Sequence, residues 1–222
     1  MKIIIIGGRG TSTVIADQMT DAHDRFGMDI EVIGFALDDL SGGNQIAGYP
    51  IICGIRELHK KYESYSDIRY VYCLYKSTLI RQRTELLHSL NLPIERFCNF
   101  VHPTVTKVQS VRMGYGNVVL ANSVINSNVI LGNYNIINSG TLIEHDTIIG
   151  NNNFIAGHAC LGSGLRIGNM NFIGLNSSIK TFTRIGDGNL IGMSSNVTRC
   201  IEDNTIVVGN PARPFVKNDF NG

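Results

Sequence analysis

Features that would place this chain among membrane or nucleic-acid-binding proteins are missing from its sequence. The apolar run at the amino terminus, Ile3 to Ile6, is far shorter than the roughly 20 residues that span a bilayer, and it lacks a signal-peptide pattern. Lysine and arginine number 19 against 18 aspartates and glutamates, without a basic block, so nucleic acid and anionic membranes are poor candidate partners. We expect a soluble, cytoplasmic protein.

Cysteine is scarce and follows no pattern. The five cysteines are an odd number without CxxC spacing, which argues against a disulfide framework and against a zinc site. No other set of histidine, aspartate or glutamate has the spacing of metal ligands. We therefore predict buried, reduced thiols and no metal site. The cysteines are Cys53, Cys73, Cys98, Cys160 and Cys200.

An aliphatic residue recurs at every sixth position over fifteen consecutive hexads, from Met113 to Val197. A helix repeats every 3.6 residues and a strand every two, so a strict period of six belongs to neither and indicates a repeat architecture. We predict a parallel β-helix in which three hexads form one triangular coil and the aliphatic side chains stack into one buried column. Residues eighteen apart should therefore be vertical neighbours.

Glycine and asparagine are dense between the aliphatic positions. Both residues adopt positive φ at low cost, so we expect them to turn the corners of the coil. The glycines that directly follow the aliphatic residue are Gly114, Gly132, Gly150, Gly162, Gly168, Gly174, Gly186 and Gly192.

The first hundred residues alternate strand and helix signals. Lys2 to Ile6 reads as a strand that ends in a glycine turn, followed by a helix from Ser12 to about Ala22. Alternating strands and helices imply a parallel sheet. We predict an α/β, Rossmann-like domain over residues 1–100 and the all-β repeat domain over 101–222. The other predicted elements are strands at Ile30–Phe35 and Ile68–Tyr75 and helices at Ile55–Tyr62 and Ser77–Leu90, the last capped by Ser77.

The glycine turn after the first strand is a candidate phosphate site. A helix amino terminus binds anions, and Gly8 and Gly10 match a dinucleotide fingerprint whose third glycine is replaced by Thr13. A nucleotide or nucleotide-sugar, a dinucleotide and a tight turn without a ligand all fit this pattern. Asp38 and Asp39, after the second strand, are either ligands for nucleotide hydroxyl or base hydrogens or part of a solvated turn.

An ionisable cluster, Glu144-His145-Asp146, lies within the hexads. A histidine beside carboxylates can accept a proton from a nucleophile while a carboxylate orients its ring. A surface histidine on a repeat can also have no role, and this alternative stays open. His158 lies thirteen residues further, so we expect it at a different edge of the prism, and His102 before Pro103 marks the domain junction.

Taken together, these segments resemble the bacterial sugar O- and N-acetyltransferases of the left-handed β-helix superfamily. The group includes UDP-4-amino-sugar N-acetyltransferases and sialic acid O-acetyltransferase. The resemblance covers nearly the whole chain. It is carried by the glycine-rich turn, the hexads, Phe35-Ala36-Leu37-Asp38-Asp39, Tyr49-Pro50-Ile51, His102-Pro103, Glu144-His145-Asp146 and Val208-Gly209-Asn210-Pro211-Ala212-Arg213.

The resemblance implies a left-handed β-helix that forms a homotrimer, with acetyl-CoA as co-substrate in the groove between two subunits. It implies that His145 is the general base and Asp146 its partner. The stacking rule adds that Ser163 lies over His145, so its backbone N–H is a candidate oxyanion donor. The nucleotide-sugar site implied by similarity consists of Arg9, Gly10, Thr11, Asp38 and Asp39. The implied acetyl-CoA site consists of Phe154, Ser163, Leu175, Met193, Arg199 and Arg213.

The expected reaction is acetyl-CoA-dependent N-acetylation of a nucleotide-linked 4-amino-4,6-dideoxysugar for surface glycans. Sugar O-acetylation of the sialic acid type and a trimeric scaffold that binds nucleotide-sugar without catalysis are the alternatives. Two departures from relatives bear on these readings. Gly10-Thr11-Ser12 stands where many members of the family have Gly-His-Gly, and Phe154 stands where some have a second histidine nine residues after the base.

Overall fold

The structure is a computed structural model that describes residues 1–215. The last seven residues of the predicted second domain lie outside the described residues. An α/β domain comes first, and a β-helix follows it. The first strand of the β-helix, Phe100–Val101, lies across the predicted boundary.

A five-stranded sheet forms the centre of the N-terminal domain. Its order is β3-β4-β2-β1-β5, parallel except for the edge strand β3, which runs antiparallel to β4. The predicted α/β domain is thus confirmed. The elements are β1 Lys2–Ile6, α1 Thr11–Phe26, β2 Glu31–Ala36, β3 Gln45–Ile46, β4 Tyr49–Cys53, α2 Leu58–Tyr62, β5 Ile68–Tyr72 and α3 Ile80–Ser89, with 3-10 helices at Ile55–Glu57 and Ile94–Arg96.

Three details of this domain differ from the sequence prediction. The helix expected from Ile55 begins as a 3-10 turn, and α3 begins at Ile80 after Leu79, with no side-chain cap from Ser77. Strand β4 was not predicted, and it contains Pro50, a residue that is normally confined to edge strands and to the first residue of a strand. Pro50 is the second residue of β4 and pairs with Gln45 of the two-residue edge strand β3.

The β-helix has three parallel faces made of two-residue strands. The first face comprises Phe100–Val101, Val118–Val119, Ile136–Ile137, Phe154–Ile155, Phe172–Ile173, Leu190–Ile191 and Ile206–Val208, with Arg213–Pro214 antiparallel at its end. The second face comprises Thr106–Lys107, Val124–Ile125, Leu142–Ile143, Cys160–Leu161, Ser178–Ile179 and Asn196–Val197. The third face comprises Arg112–Met113, Ile130–Leu131, Ile148–Ile149, Arg166–Ile167 and Arg184–Ile185.

The aliphatic column predicted from the hexads is the core of this prism. Strands pair with a register of eighteen, as in Ile137 with Ile155, so the stacking rule is confirmed. The aliphatic residue at the sixth position of each hexad is buried from Val119 to Val197, and Met113 is partly buried at the end of the column. Burial of each such side chain stabilises the fold by roughly 1.5–3 kcal/mol.

Two-residue turns form three corners. The first corner, between the first and second faces, holds residues 121–122, 139–140, 157–158, 175–176 and 193–194. The second corner, between the second and third faces, holds residues 127–128, 145–146, 163–164 and 181–182. The third corner holds residues 115–116, 133–134, 151–152, 169–170 and 187–188. The second residue of each turn has positive φ, for example Asn128 at 61°.

The glycines after the aliphatic residue do not have the expected role. None of them has positive φ, which occurs two residues later in each hexad. A Cβ atom on Gly150 would lie 2.6 Å from the backbone oxygen of Gly168, so these glycines are needed for the close approach of successive coils. Asparagine and glycine do occupy eight of these positive-φ turn positions, which are Asn122, Asn128, Asn152, Asn176, Gly116, Gly140, Gly164 and Gly188.

A ladder of buried asparagines joins the coils inside the prism. The Nδ2 of Asn153 donates to Asn135 Oδ1 and to the carbonyl of Gly168, both at 3.0 Å. The ladder ends at Asn189, whose Nδ2 has no acceptor within residues 1–215. The last coil is two residues shorter, since the N–H of Thr205 binds Asn189 Oδ1 sixteen residues away. The members are Asn117, Asn135, Asn153, Asn171 and Asn189.

The N-terminal domain packs on the first face. Outward side chains of that face, including Ile136 and Phe154, share a hydrophobic core with Ile15 and Met19 of α1. Buried His102 lies 3.2 Å from a carboxylate oxygen of Asp21 of α1 through its Nε2, so it contacts the N-terminal domain.

All five cysteines are free thiols, but only part of the prediction holds. Cys53 and Cys73 are buried, and burial raises the pKa of the Cys53 thiol to about 11. Cys160 and Cys200 are exposed, because their positions on the prism face outward. No helix within residues 1–215 is long and apolar enough to cross a membrane.

Asn153→Ala should lower the free energy of unfolding by about 1–3 kcal/mol for each buried group left unpaired, since Asn171 loses the acceptor for its N–H. Chemical denaturation followed by circular dichroism measures the change. Asn151→Ala, at the half-exposed third corner, is the matched control and should cost less. Equal losses in the two variants would contradict the importance of the internal ladder.

Candidate active site

The second corner carries a histidine–aspartate pair. Nδ1 of His145 and Oδ2 of Asp146 are 2.7 Å apart, and both side chains are about half exposed, at 53% and 56%. Asp146 holds positive φ at 60°, which turns its carboxylate back to the ring. Nε2 of His145 makes no hydrogen bond within residues 1–215, so this nitrogen can accept a proton.

Neighbouring coils hold this pair in place. Asn128, eighteen residues before Asp146, donates from Nδ2 to Asp146 Oδ1 at 2.9 Å, and Arg166 donates to the backbone oxygen of Asp146 at 3.0 Å. Hydrogen bonds from His145 and then Asn128 hold the pKa of the Asp146 carboxyl below its usual value. Its ionised form therefore persists to lower pH than that of an ordinary aspartate. Glu144 is instead bound by Asn126 at 3.1 Å.

The sequence reading missed Asn128 and Arg166. The eighteen-residue rule could have found Asn128, because it lies one coil below Asp146. No sequence signal pointed to Arg166, whose long side chain reaches across from the third face.

Ser163 lies one coil above His145. The N–H of the adjacent Gly164 donates to the carbonyl of His145 at 2.9 Å, which fixes the two turns against each other. The N–H of Ser163 itself has no acceptor within residues 1–215. An unpaired backbone donor thus accompanies the histidine on the same corner.

Within residues 1–215, unpaired turn donors occur at the second corner and at most turns of the first corner, but not at the third corner. At the third corner, the first N–H of each turn is capped by a side-chain oxygen one coil away, as in Asn133 to Asn151 Oδ1 at 2.7 Å and Asn169 to Asp187 Oδ1 at 2.6 Å. At the second corner, the corresponding N–H groups of His145, Ser163 and Thr181 donate to nothing in the described chain. Backbone donors are therefore available to a ligand along the second corner.

The residues assigned to acetyl-CoA fall into three places. Leu175 and Met193 stack at the first corner and are unusually exposed for apolar side chains, at 54% and 72%. Arg199 and Arg213 come together around a cavity of about 330 Å³ at the carboxyl end of the prism. Phe154 lies on the first face, 8% exposed, stacked on Phe172 and tilted against Tyr75, so it has little surface to offer a ligand.

The residues assigned to the nucleotide-sugar lie at the carboxyl edge of the N-terminal sheet. Gly10, with φ of 88°, precedes Thr11 at the start of α1, where backbone N–H groups point outward. Arg9 donates to the carbonyl of Gly42 at 2.6 Å, which ties the glycine turn to the loop after β2. Asp39 belongs to that loop, and hydrogen bonds from Ser41, aided by the charge of Arg9, lower its pKa.

Asp38 faces a second cavity, of about 410 Å³, which Glu57 also lines. One of its oxygens accepts the N–H of Ile55 at 2.7 Å, so the carboxylate has a structural role beside any contact with a ligand. The carboxylates of Asp38 and Glu57 repel a phosphate, but they can accept hydrogen bonds from the hydroxyl groups or the base of a nucleotide.

The structure does not bring the two groups of site residues together within one chain. The N-terminal domain covers the first face, whereas His145 stands at the corner between the other two faces. In a triangular prism that corner is opposite the first face. His158 is at the first corner, away from His145 as expected, with its ring against Gly140. No cluster of metal-ligating side chains occurs within residues 1–215.

No protein-family model and no characterised protein sequence matches the chain, but solved structures do. The acetyltransferase domain of PglB from Neisseria gonorrhoeae FA1090, in complex with acetyl coenzyme A, matches with a TM-score of 0.81 and 25% identity over 96% of this chain and 98% of that chain. PerB from Caulobacter crescentus, in complex with CoA and GDP-perosamine, matches at 0.80 and 22% over 97% and 98%.

WeeI from Acinetobacter baumannii AYE matches with a TM-score of 0.79 and 22% identity, over 97% of this chain and the whole of that chain. These matches extend over both domains, so they bear on the whole architecture. The resemblance predicted from the sequence is therefore confirmed, and the chain has the fold of the hexapeptide-repeat sugar N-acetyltransferases.

Proposed function

We propose that this protein transfers the acetyl group of acetyl-CoA to the amine of a nucleotide-linked 4-amino-4,6-dideoxysugar. The observation that carries the proposal is the second corner, where the His145–Asp146 pair lies one coil below the unpaired N–H of Ser163. The likeness to PglB with acetyl coenzyme A and to PerB with CoA and GDP-perosamine supports the choice of donor and acceptor.

The proposed reaction uses the pair as a base. Nδ1–H of His145 donates to Asp146, which leaves Nε2 to accept a proton. The sugar amine attacks the thioester carbonyl, a C–N bond forms, and His145 takes the proton that the nitrogen loses. The C–S bond then breaks, and the proton passes to the departing thiolate of coenzyme A.

Ser163 stabilises the intermediate through its backbone. The carbonyl oxygen of the thioester becomes negatively charged during attack, and a fixed N–H donor beside it lowers the barrier. The donor needs no rearrangement because the Gly164 to His145 hydrogen bond already fixes this turn.

Coenzyme A would extend from this corner towards the carboxyl end. Arg199 makes no ion pair within residues 1–215, and with Arg213 it offers positive charge for phosphates at the cavity there. Leu175 and Met193, at the first corner of a neighbouring copy, would offer exposed apolar surface for the pantetheine arm in the groove between two subunits. Arg9, Gly10, Thr11, Asp38 and Asp39 would hold the nucleotide-sugar.

The active form would be a homotrimer. The base and the sugar-binding edge lie on opposite sides of one chain, so a second copy must bring them together. The second face supports such contacts, since after Thr106 its outward residues are uncharged and mostly small or aliphatic. They are Val124, Leu142, Cys160, Ser178 and Asn196.

The first test is release of free coenzyme A from acetyl-CoA, followed with a thiol reagent, across UDP-, GDP- and dTDP-4-amino-6-deoxysugars and free sialic acid. We expect turnover with a nucleotide amino-sugar and a loss of about 10²–10⁴-fold in His145→Ala. His59→Ala, an exposed histidine on α2, is the control and should keep full activity. Turnover with sialic acid alone, or full activity in His145→Ala, would overturn the proposal.

A second test separates the backbone of Ser163 from its side chain. Ser163→Ala keeps the N–H, so kcat should stay near the wild-type value. Ser163→Pro removes the donor and should lower kcat about 10²–10³-fold, provided that its melting temperature shows a folded protein. A large loss in Ser163→Ala would assign the role to the hydroxyl instead.

The assembly can be tested with one added charge. Ser178→Arg places a like charge on every copy of the second face, so light scattering should show a smaller species that lacks activity. Ile148→Arg is the matched control, because the third face already carries Arg112, Arg166 and Arg184, and it should remain trimeric. A monomeric wild type with full activity would refute the trimer.

A further inference from the structure

Bulky side chains occupy several positive-φ corner positions, which favour glycine or asparagine. A large residue in this conformation carries a backbone cost, which persists only where the surroundings offset it. Tyr134 has φ of 58°, yet it is 7% exposed and packs edge-on against Phe97 of the N-terminal domain. Asp146 has φ of 60° and gains the bond to His145.

Phe182 has no such compensation within the described chain. Its φ is 59°, and its side chain is 81% exposed, the largest exposure among the large apolar residues of the described chain. The ring lies against the backbone of Gly164, where an added Cβ would come within 2.6 Å of it. The ring of Phe182 therefore lies on a strained turn. One edge of the ring contacts the preceding coil, and most of its surface is exposed to solvent.

The position of this ring connects it to the proposed site. Phe182 stands at the second corner, one coil above Ser163 and on the side of the cavity formed by Arg199 and Arg213. The N–H of the adjacent Thr181 is also unpaired within residues 1–215. A chain that joins a thioester at Ser163 to phosphates at the two arginines must pass this ring.

We infer that Phe182 forms an apolar wall for the pantetheine arm of acetyl-CoA, next to the thioester. This inference rests on the proposed function. It adds a residue that binds the acetyl donor, and this residue affects the affinity for acetyl-CoA rather than the rate of the acyl-transfer step. The methylene and methyl groups of the pantetheine arm cover the exposed ring, and this burial offsets the cost of the positive-φ turn.

Phe182→Asn is the informative variant. Asparagine adopts positive φ more easily than phenylalanine, so the fold should be at least as stable as wild type, with an unchanged or higher melting temperature. Loss of the ring should raise the Kd of coenzyme A, measured by calorimetry, about tenfold. A purely structural role for the ring would lower the melting temperature instead.

Tyr115→Asn is the matched control, since it removes an exposed ring at the third corner of the same β-helix. Asparagine stands at the equivalent position in the next two coils, as Asn133 and Asn151. This variant should bind coenzyme A as wild type does. In the transfer assay, Phe182→Asn should raise KM for acetyl-CoA and for S-acetylpantetheine by similar factors with kcat unchanged, because the ring contacts the arm and not the phosphates.

The outcomes separate the two proposals. If the wild-type protein binds no coenzyme A, the proposed function itself is wrong. Wild type that binds, with a Phe182→Asn affinity within about twofold of it, would overturn the role of Phe182 and leave the function intact. A variant whose trimer falls apart in light scattering would show that a second copy covers the ring, which also overturns the inference.

Discussion

The close approach of successive coils is the constraint on which the rest of this structure depends. Glycine follows every strand of the third face, where a Cβ on Gly150 would lie 2.6 Å from a neighbouring carbonyl oxygen. Stacking at this distance also demands that inward polar groups be paired, which the buried asparagine ladder achieves around Asn135 and Asn153. The outcome is a stiff prism in which position along the axis is fixed by residue number.

This stiffness makes the second corner suitable for the proposed acyl transfer. His145, Ser163 and Phe182 occupy successive levels of the same column, and the N–H to carbonyl bond between Gly164 and His145 keeps adjacent levels in register. Groups held in this way need little reorganisation when charge develops. At the third corner, side-chain oxygens accept the first N–H of each turn, so these backbone groups are not available to a ligand.

The packing of the N-terminal domain on the first face has a consequence for assembly. It buries Phe154 inside the interface between the two domains. It also places the glycine turn and Asp38 on the side of the prism opposite His145. Each chain therefore carries both parts of the proposed site on opposite sides of the prism. Only a neighbouring copy can bring the two parts together.

The sequence by itself determined the prism, its eighteen-residue register, the α/β domain before it and the pairing of His145 with Asp146, because each depends on local spacing or on a strict period. It did not reveal that Gly150 serves close approach rather than a turn, or that the N–H of Ser163 is left unpaired one coil above His145. Tertiary structure decided these points, since they depend on which residue one coil away faces each group. The strain at Phe182 likewise became visible only once its φ and its surroundings were known.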